Sequence, residues 1–152
     1  MPTRATVIYD ADCGFCRWSL ALLLSWDAPV PGALRPLPLG TEEADRLLAE
    51  LSVEERKASW HLVLDDGAPV AAAPSPPPAA ARFSAGAALA PAMTLLPGGR
   101  LPAALFARFP QAAERGYRWV ADHRGFLGRF LSSRARRRAD RVIAAHGGPA
   151  AQ

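Results

Sequence analysis

Cysteine is scarce in this chain of 152 residues: there are two, Cys13 and Cys16, three positions apart. A bridge across so short a loop constrains little of the unfolded chain, which excludes the disulfide framework of a small secreted protein. Histidine is also sparse, and His61, His123 and His146 are scattered. A zinc site would therefore have one half in the cysteine pair and no second half. No apolar run is long enough to cross a membrane: the longest, Trp18 to Trp26, falls well short of the roughly 20 residues a span needs. Residues 1–9 carry one arginine and only Val7-Ile8-Tyr9 as an apolar run, too short for a secretory signal core. These absences lead to the expectation of a soluble, cytoplasmic protein.

What is present suits one packed domain. Half of the residues are hydrophobic, and a chain of this length buries roughly 70% of its unfolded surface. Charge is unevenly spread. Residues 1–114 hold nine Lys/Arg and twelve Asp/Glu, a balance of −3, whereas residues 115–152 hold nine Arg and two Asp, a balance of +7. The basic character belongs to the C-terminal part.

The chain alternates strand and helix signals. Arg4 to Tyr9, rich in β-branched residues, predicts a first strand, and Asp10-Ala11-Asp12 a loop. A helix is expected from about Cys13 to Trp26, ended by Asp27-Ala28-Pro29. Phe15, Trp18, Leu20, Leu22, Leu23 and Leu24 nearly encircle it, so it should be largely buried. Leu34 to Leu39 predicts a strand, with Pro36 and Pro38 pointing to a sheet edge. Thr41 is a good cap for a helix opening on Glu42 and Glu43, and Ser52-Val53-Glu54-Glu55 has the spacing of a capping box. Trp60 to Leu64 predicts a central strand, Asp65-Asp66-Gly67 a turn, and Pro69 to Ala73 its hairpin partner. Pro74 to Ala81 reads as a proline- and alanine-rich insert. Helices are expected over about 84–95, 102–108, 110–122 and 125–146, the last with an apolar stripe of Leu127, Phe130, Leu131, Ala135 and Val142. Tyr117, Trp119 and Phe126 are expected in the core. This order predicts an α/β fold, divided as a core over 1–100, C-terminal helices packed on the same domain over 101–146, and a disordered tail over 147–152.

The chemistry is concentrated at Cys13-Gly14-Phe15-Cys16. Free cysteine has a pKa of about 8.5, and a helix N-terminus lowers it by aiming unpaired N–H groups at the sulfur. Cys13 stands at such a junction. Cys16, one turn later, can reach Cys13 sulfur to sulfur, so one thiol can attack a disulfide and the other resolve the adduct. Gly14 keeps the approach open and Phe15 shapes the rim. Asp10 and Asp12 oppose thiolate formation if aimed at Cys13, or serve as proton acceptors or helix caps; the residues alone leave these roles open. The bland alternative is a pair of inert buried cysteines. His61, on the predicted central strand, reads as a hydrogen-bonded structural residue.

Over Tyr9-Asp10-Ala11-Asp12-Cys13-Gly14-Phe15-Cys16 the sequence resembles the DCC family of thiol-disulfide oxidoreductases, with Ala11 where the family usually has glycine. Leu37-Pro38-Leu39, Ser59-Trp60-His61-Leu62-Val63 before Asp66-Gly67, and Tyr117-Arg118-Trp119-Val120-Ala121 extend the likeness over about residues 6–130. The resemblance implies a thioredoxin-like, three-layer fold and the dithiol as active site, to which the charge count and helix signals add a helical, basic C-terminal extension. For the dithiol itself the expected substrate is a protein or low-molecular-weight disulfide, with thioredoxin or glutathione as reductant and no bound cofactor or metal. Thioredoxins place a cis-proline before the third strand of the core, and the matching position here is about Ser59.

Two other readings compete. Asp10-x-Asp12 after a strand, with Lys57 and the Asp65-Asp66 pair, mimics a haloacid-dehalogenase-type phosphatase compressed into too few residues; Asp65-Asp66-Gly67 is more simply a turn. A non-catalytic binding or redox-sensing protein would use the basic cluster Arg134, Arg136, Arg137, Arg138 and Arg141, beside Arg129, to touch nucleic acid or an anionic membrane. A solvated helix face is the simpler account of that cluster.

Overall fold

In the computed structural model, which describes residues 4–27, 32–65 and 82–149, the β-branched run near the start forms β1 (Arg4–Tyr9). It is followed by α1 (Gly14–Leu24), β2 (Leu34–Pro38), α2 (Glu42–Leu47), α3 (Val53–Ala58) and β3 (His61–Asp65). After residue 81 come β4 (Arg82–Ser84), a 3-10 turn (Ala85–Ala88), α4 (Leu89–Thr94), α5 (Arg100–Arg108), α6 (Pro110–Arg129) and α7 (Ser133–Ala145). The strands form one sheet in the order β2-β1-β3-β4, with β1 parallel to β2 and antiparallel to β3, and β4 antiparallel to β3.

Both faces of β1 are covered, so its last five residues are all buried instead of alternating. Ala5, Val7, Tyr9 and Leu62 face a cluster with Leu20 and Leu24 of α1, Ala92 of α4 and Ile143 of α7. Ile8, Leu37 and Val63 face the other way, onto Ala44, Leu47 and Leu48 at α2. The result is three layers, helices on each side of a mixed sheet: the thioredoxin-like arrangement that the resemblance implied. Pro36 and Pro38 sit on the edge strand β2, where a missing N–H costs no inner ladder bond.

Local signals explain the element starts. Thr41 Oγ1 accepts the Ala44 N–H at 3.2 Å to open α2. At α3 the capping box is complete: Glu55 N–H donates to Ser52 Oγ at 3.2 Å, and Ser52 N–H to Glu55 Oε2 at 2.8 Å. That bonding holds the Glu55 carboxyl below its ordinary pKa. Asp27 closes α1 onto β2, its carboxylate accepting the N–H groups of Ala33 at 3.1 Å and Leu34 at 2.8 Å.

Several expectations need correction. The C-terminal helices do not divide near residues 122–125. Helix α6 runs through Gly125 to Arg129, and α7 starts afresh where Ser132 Oγ accepts the Ala135 N–H at 3.2 Å. The supposed stripe is therefore split. Phe130 is 73% exposed, while Ala139 and Ile143 form the buried side of α7. Trp119 and Phe126 are not core residues, each being 58% exposed. Leu22 on α1 and Trp26 just past its end are exposed. On the side of β3 away from β1, its partner among the described residues is the three-residue β4, ending at Ser84 where a helix was expected to start. Pro69 to Ala73, the Pro74 to Ala81 insert and the Asp66-Gly67 part of the turn lie outside the described residues. Among the described residues no helix is long and apolar enough to cross a membrane.

Candidate active site

Strand β1 delivers the chain to the loop Asp10-Ala11-Asp12, and Asp10 shapes that loop. Its Oδ1 accepts the Asp12 N–H at 3.0 Å, so this carboxylate organises the turn and does not cap α1. Asp12 is exposed. The cap is Cys13 itself, in extended backbone conformation, with its Sγ accepting the Cys16 N–H at 3.2 Å. Its carbonyl accepts the Arg17 N–H at 3.0 Å, the first bond of the helix. The two cysteines are disulfide-bonded, with Cα atoms 5.2 Å apart, inside the ordinary range for such a bridge. Both are half-buried.

The physical content of this placement is electrostatic. The first N–H groups of a helix have no intrahelical acceptor and carry its positive dipole end. A sulfur at the cap receives one of them directly, and the same contact stabilises a thiolate once the bridge is reduced.

The basic C-terminal helix is part of this neighbourhood. Arg17 of α1 pairs with Asp140 of α7, both half-buried. Arg136 donates to the Gly128 carbonyl at 3.0 Å, which ties α7 to the end of α6. A side chain at Gly14 would come within 4.0 Å of Arg136 Nε, so this guanidinium flanks the start of α1. Phe15 packs against Gly128 of α6 and holds its ring 5.7 Å from that of Trp18. The cysteine spacing announced the dithiol. Arg136 was visible only as one arginine of a cluster, because its approach to Gly14 depends on how α7 crosses α1.

Beside Cys16 opens a cavity of about 660 Å3 between the sheet, α1, α5 and α6, walled by Tyr9, Phe15, Trp60, Phe106 and Tyr117 among others. Ser59 borders it. Trp60 is held at both backbone groups. Its N–H donates to Tyr117 Oη at 3.0 Å, and its carbonyl accepts the Ala85 N–H at 3.2 Å. Ala85 has φ of +53°, a left-handed conformation that a non-glycine residue adopts at a cost. Burial raises the pKa of both Tyr9 and Tyr117 above the ordinary phenol value.

His61 lies apart from this cavity. It sits on the α3 side of β3, 1% exposed, with Nδ1 2.7 Å from Ser84 Oγ and Nε2 3.1 Å from the Arg56 carbonyl. Both ring nitrogens are occupied, as expected of a structural histidine, and burial lowers its pKa.

The family model described as DCC1-like thiol-disulfide oxidoreductase matches residues 7–130. No curated protein and no solved structure gives a significant match.

Proposed function

The chain belongs to the DCC1-like thiol-disulfide oxidoreductase family, and we propose on that premise that it catalyses disulfide exchange with Cys13 as the nucleophile. The Cys13 thiolate attacks one sulfur of a substrate disulfide and expels the other as a thiolate. Cys16 then attacks Cys13 sulfur in the mixed disulfide and releases the second substrate thiolate. Two electrons have passed to the substrate, and the protein is left with its internal bridge, to be reopened by a dithiol or by glutathione. Supporting this reading above all is the seat of Cys13 at the cap of α1, its sulfur already accepting a helix N–H and bonded to Cys16.

In this reading Gly14 and Phe15 are supporting residues, one leaving access to the sulfur and the other bordering the cavity. Asp10 and Asp12 support the loop that presents the dithiol. The substrate is a protein or low-molecular-weight disulfide, and thioredoxin or glutathione the reductant. We place the protein in the cytoplasm, where a cysteine pair serves catalysis rather than structural stapling.

The test is a thiol titration across a series of redox buffers, with wild type beside Cys13→Ser and Cys16→Ser. A reversible two-electron transition in wild type, with a mixed disulfide trapped by Cys16→Ser, is the expected result. Thiols unreactive at every potential in the folded protein would overturn it in favour of a non-catalytic role.

A further inference from the structure

The cavity beside Cys16 has a chemical character of its own. Its volume, about 660 Å3, lies within the roughly 300–1,000 Å3 typical of small-molecule sites. Phe15, Leu20 and Leu23 of α1 face Phe106 of α5, Val120 of α6 and Phe109 between the two helices across a space lined almost wholly by hydrocarbon. A hydrophilic disulfide seated there would shed hydration and recover few hydrogen bonds.

The wall also carries three charged side chains: Asp10, Lys57 and Arg124. Asp10 already accepts the Asp12 N–H. Arg124 Nη1 donates to the Lys57 carbonyl at 3.3 Å, which places the two cationic residues side by side. Neither cation has an ion-pair partner among the described residues. The site thus joins an apolar volume, the dithiol sulfur of Cys16 and two cationic residues that make no ion pair among the described residues.

We infer that this cavity takes a small dithiol, or its disulfide, carried on an apolar chain that ends in a carboxylate. The inference rests on the disulfide-exchange reading above and adds the substrate class. The apolar chain fills the space between α1, α5 and α6, and the carboxylate meets Lys57 and Arg124. In the direction that starts from the bridged protein, a thiolate of the dithiol attacks Cys13 sulfur and expels the Cys16 thiolate. The second thiol of the guest then closes on its own sulfur in the mixed disulfide and expels the Cys13 thiolate. The guest is oxidised by two electrons to a cyclic disulfide, and its two protons leave with the product thiols or the buffer.

Stopped-flow reduction of the oxidised full-length chain tests this with three dithiols. Dihydrolipoate has the chain and the carboxylate, dihydrolipoamide the chain alone, and dithiothreitol neither. Each rate is divided by that of the same dithiol with hydroxyethyl disulfide, which removes intrinsic reactivity. The expected order is dihydrolipoate, dihydrolipoamide, dithiothreitol. The carboxylate should give up to about a fivefold advantage at low salt, as a part-exposed ion pair would, shrinking as salt is added. Lys57→Ala combined with Arg124→Ala should remove the difference between dihydrolipoate and dihydrolipoamide. Leu105→Asp, a cavity position that is 58% exposed and thus tolerant of a charge, should slow dihydrolipoate selectively. Equal normalised rates for the three dithiols would overturn the substrate class and leave the exchange reading standing. No reduction by any of them would overturn the exchange reading itself.

Discussion

Replacing Tyr117 by phenylalanine removes a single oxygen, and the structure says what that oxygen holds. Tyr117 Oη accepts the Trp60 N–H at 3.0 Å, fixing the entry of β3 against α6 at the wall of the cavity. Trp60 N–H has no strand partner, because β3 begins one residue later at His61. The variant therefore leaves a part-buried backbone donor without its acceptor. Such a loss costs about 1–3 kcal/mol, and in a chain of this size each kcal/mol moves the melting temperature by about 2–4 °C. A fall of about 2–12 °C is expected in thermal unfolding followed by circular dichroism. Tyr9→Phe supplies the control. Tyr9 lines the same cavity, but its hydroxyl makes no hydrogen bond among the described residues, so its loss orphans no donor and should cost less than that of Tyr117. Equal melting temperatures for the two variants would refute the assignment of the Tyr117 hydroxyl as the acceptor that holds Trp60.

Three further outcomes are expected. His61 is buried as the neutral ring, its pKa lowered first by burial and further by Arg82 and Arg56. The unfolded chain then binds a proton that the native one refuses, so stability falls as pH drops through about 6.5, by at most about 1.4 kcal/mol per pH unit. Urea unfolding between pH 7.5 and 5.5 should show a shallower dependence for His61→Gln, and an unchanged slope would refute this. Gly86→Ala should destabilise by about 1–3 kcal/mol through overpacking, since the new Cβ would lie 2.6 Å from Glu114 Cα. Gly125→Ala meets nothing within 4 Å in the interior of α6. It should therefore stabilise by about 0.5–1 kcal/mol, and a Gly86→Ala that melts no lower than Gly125→Ala would contradict the packing described here.

Much of the core was legible because its signals are local. The β-branched run 4–9, the caps at Thr41 and Ser52, and the prolines of an edge strand act within a few residues, and each element formed where those signals stand. The C-terminal half was less legible. Gly125 looked like a break, yet α6 continues through it, since one glycine costs a helix only about 1 kcal/mol and the contacts of α6 with the 3-10 turn, α1 and α5 hold it in place. Trp119 and Phe126 looked like core, but hydrophobicity does not say which side of a helix meets a neighbour. On α6 that side belongs to Ala113, Tyr117 and Arg124.

By itself the sequence determined that a dithiol stands at a strand-to-helix junction, because Cys13 and Cys16 are one helical turn apart and need no distant residue to meet. Only the tertiary structure decided what surrounds that dithiol. The packing of α7 on α1 brings Arg136 to Gly14, and the fold of α5 and α6 over the sheet makes an apolar cavity with Lys57 and Arg124 on its wall. These neighbours come from segments more than forty residues away along the chain, and no local periodicity encodes which of their faces converge on the sulfur.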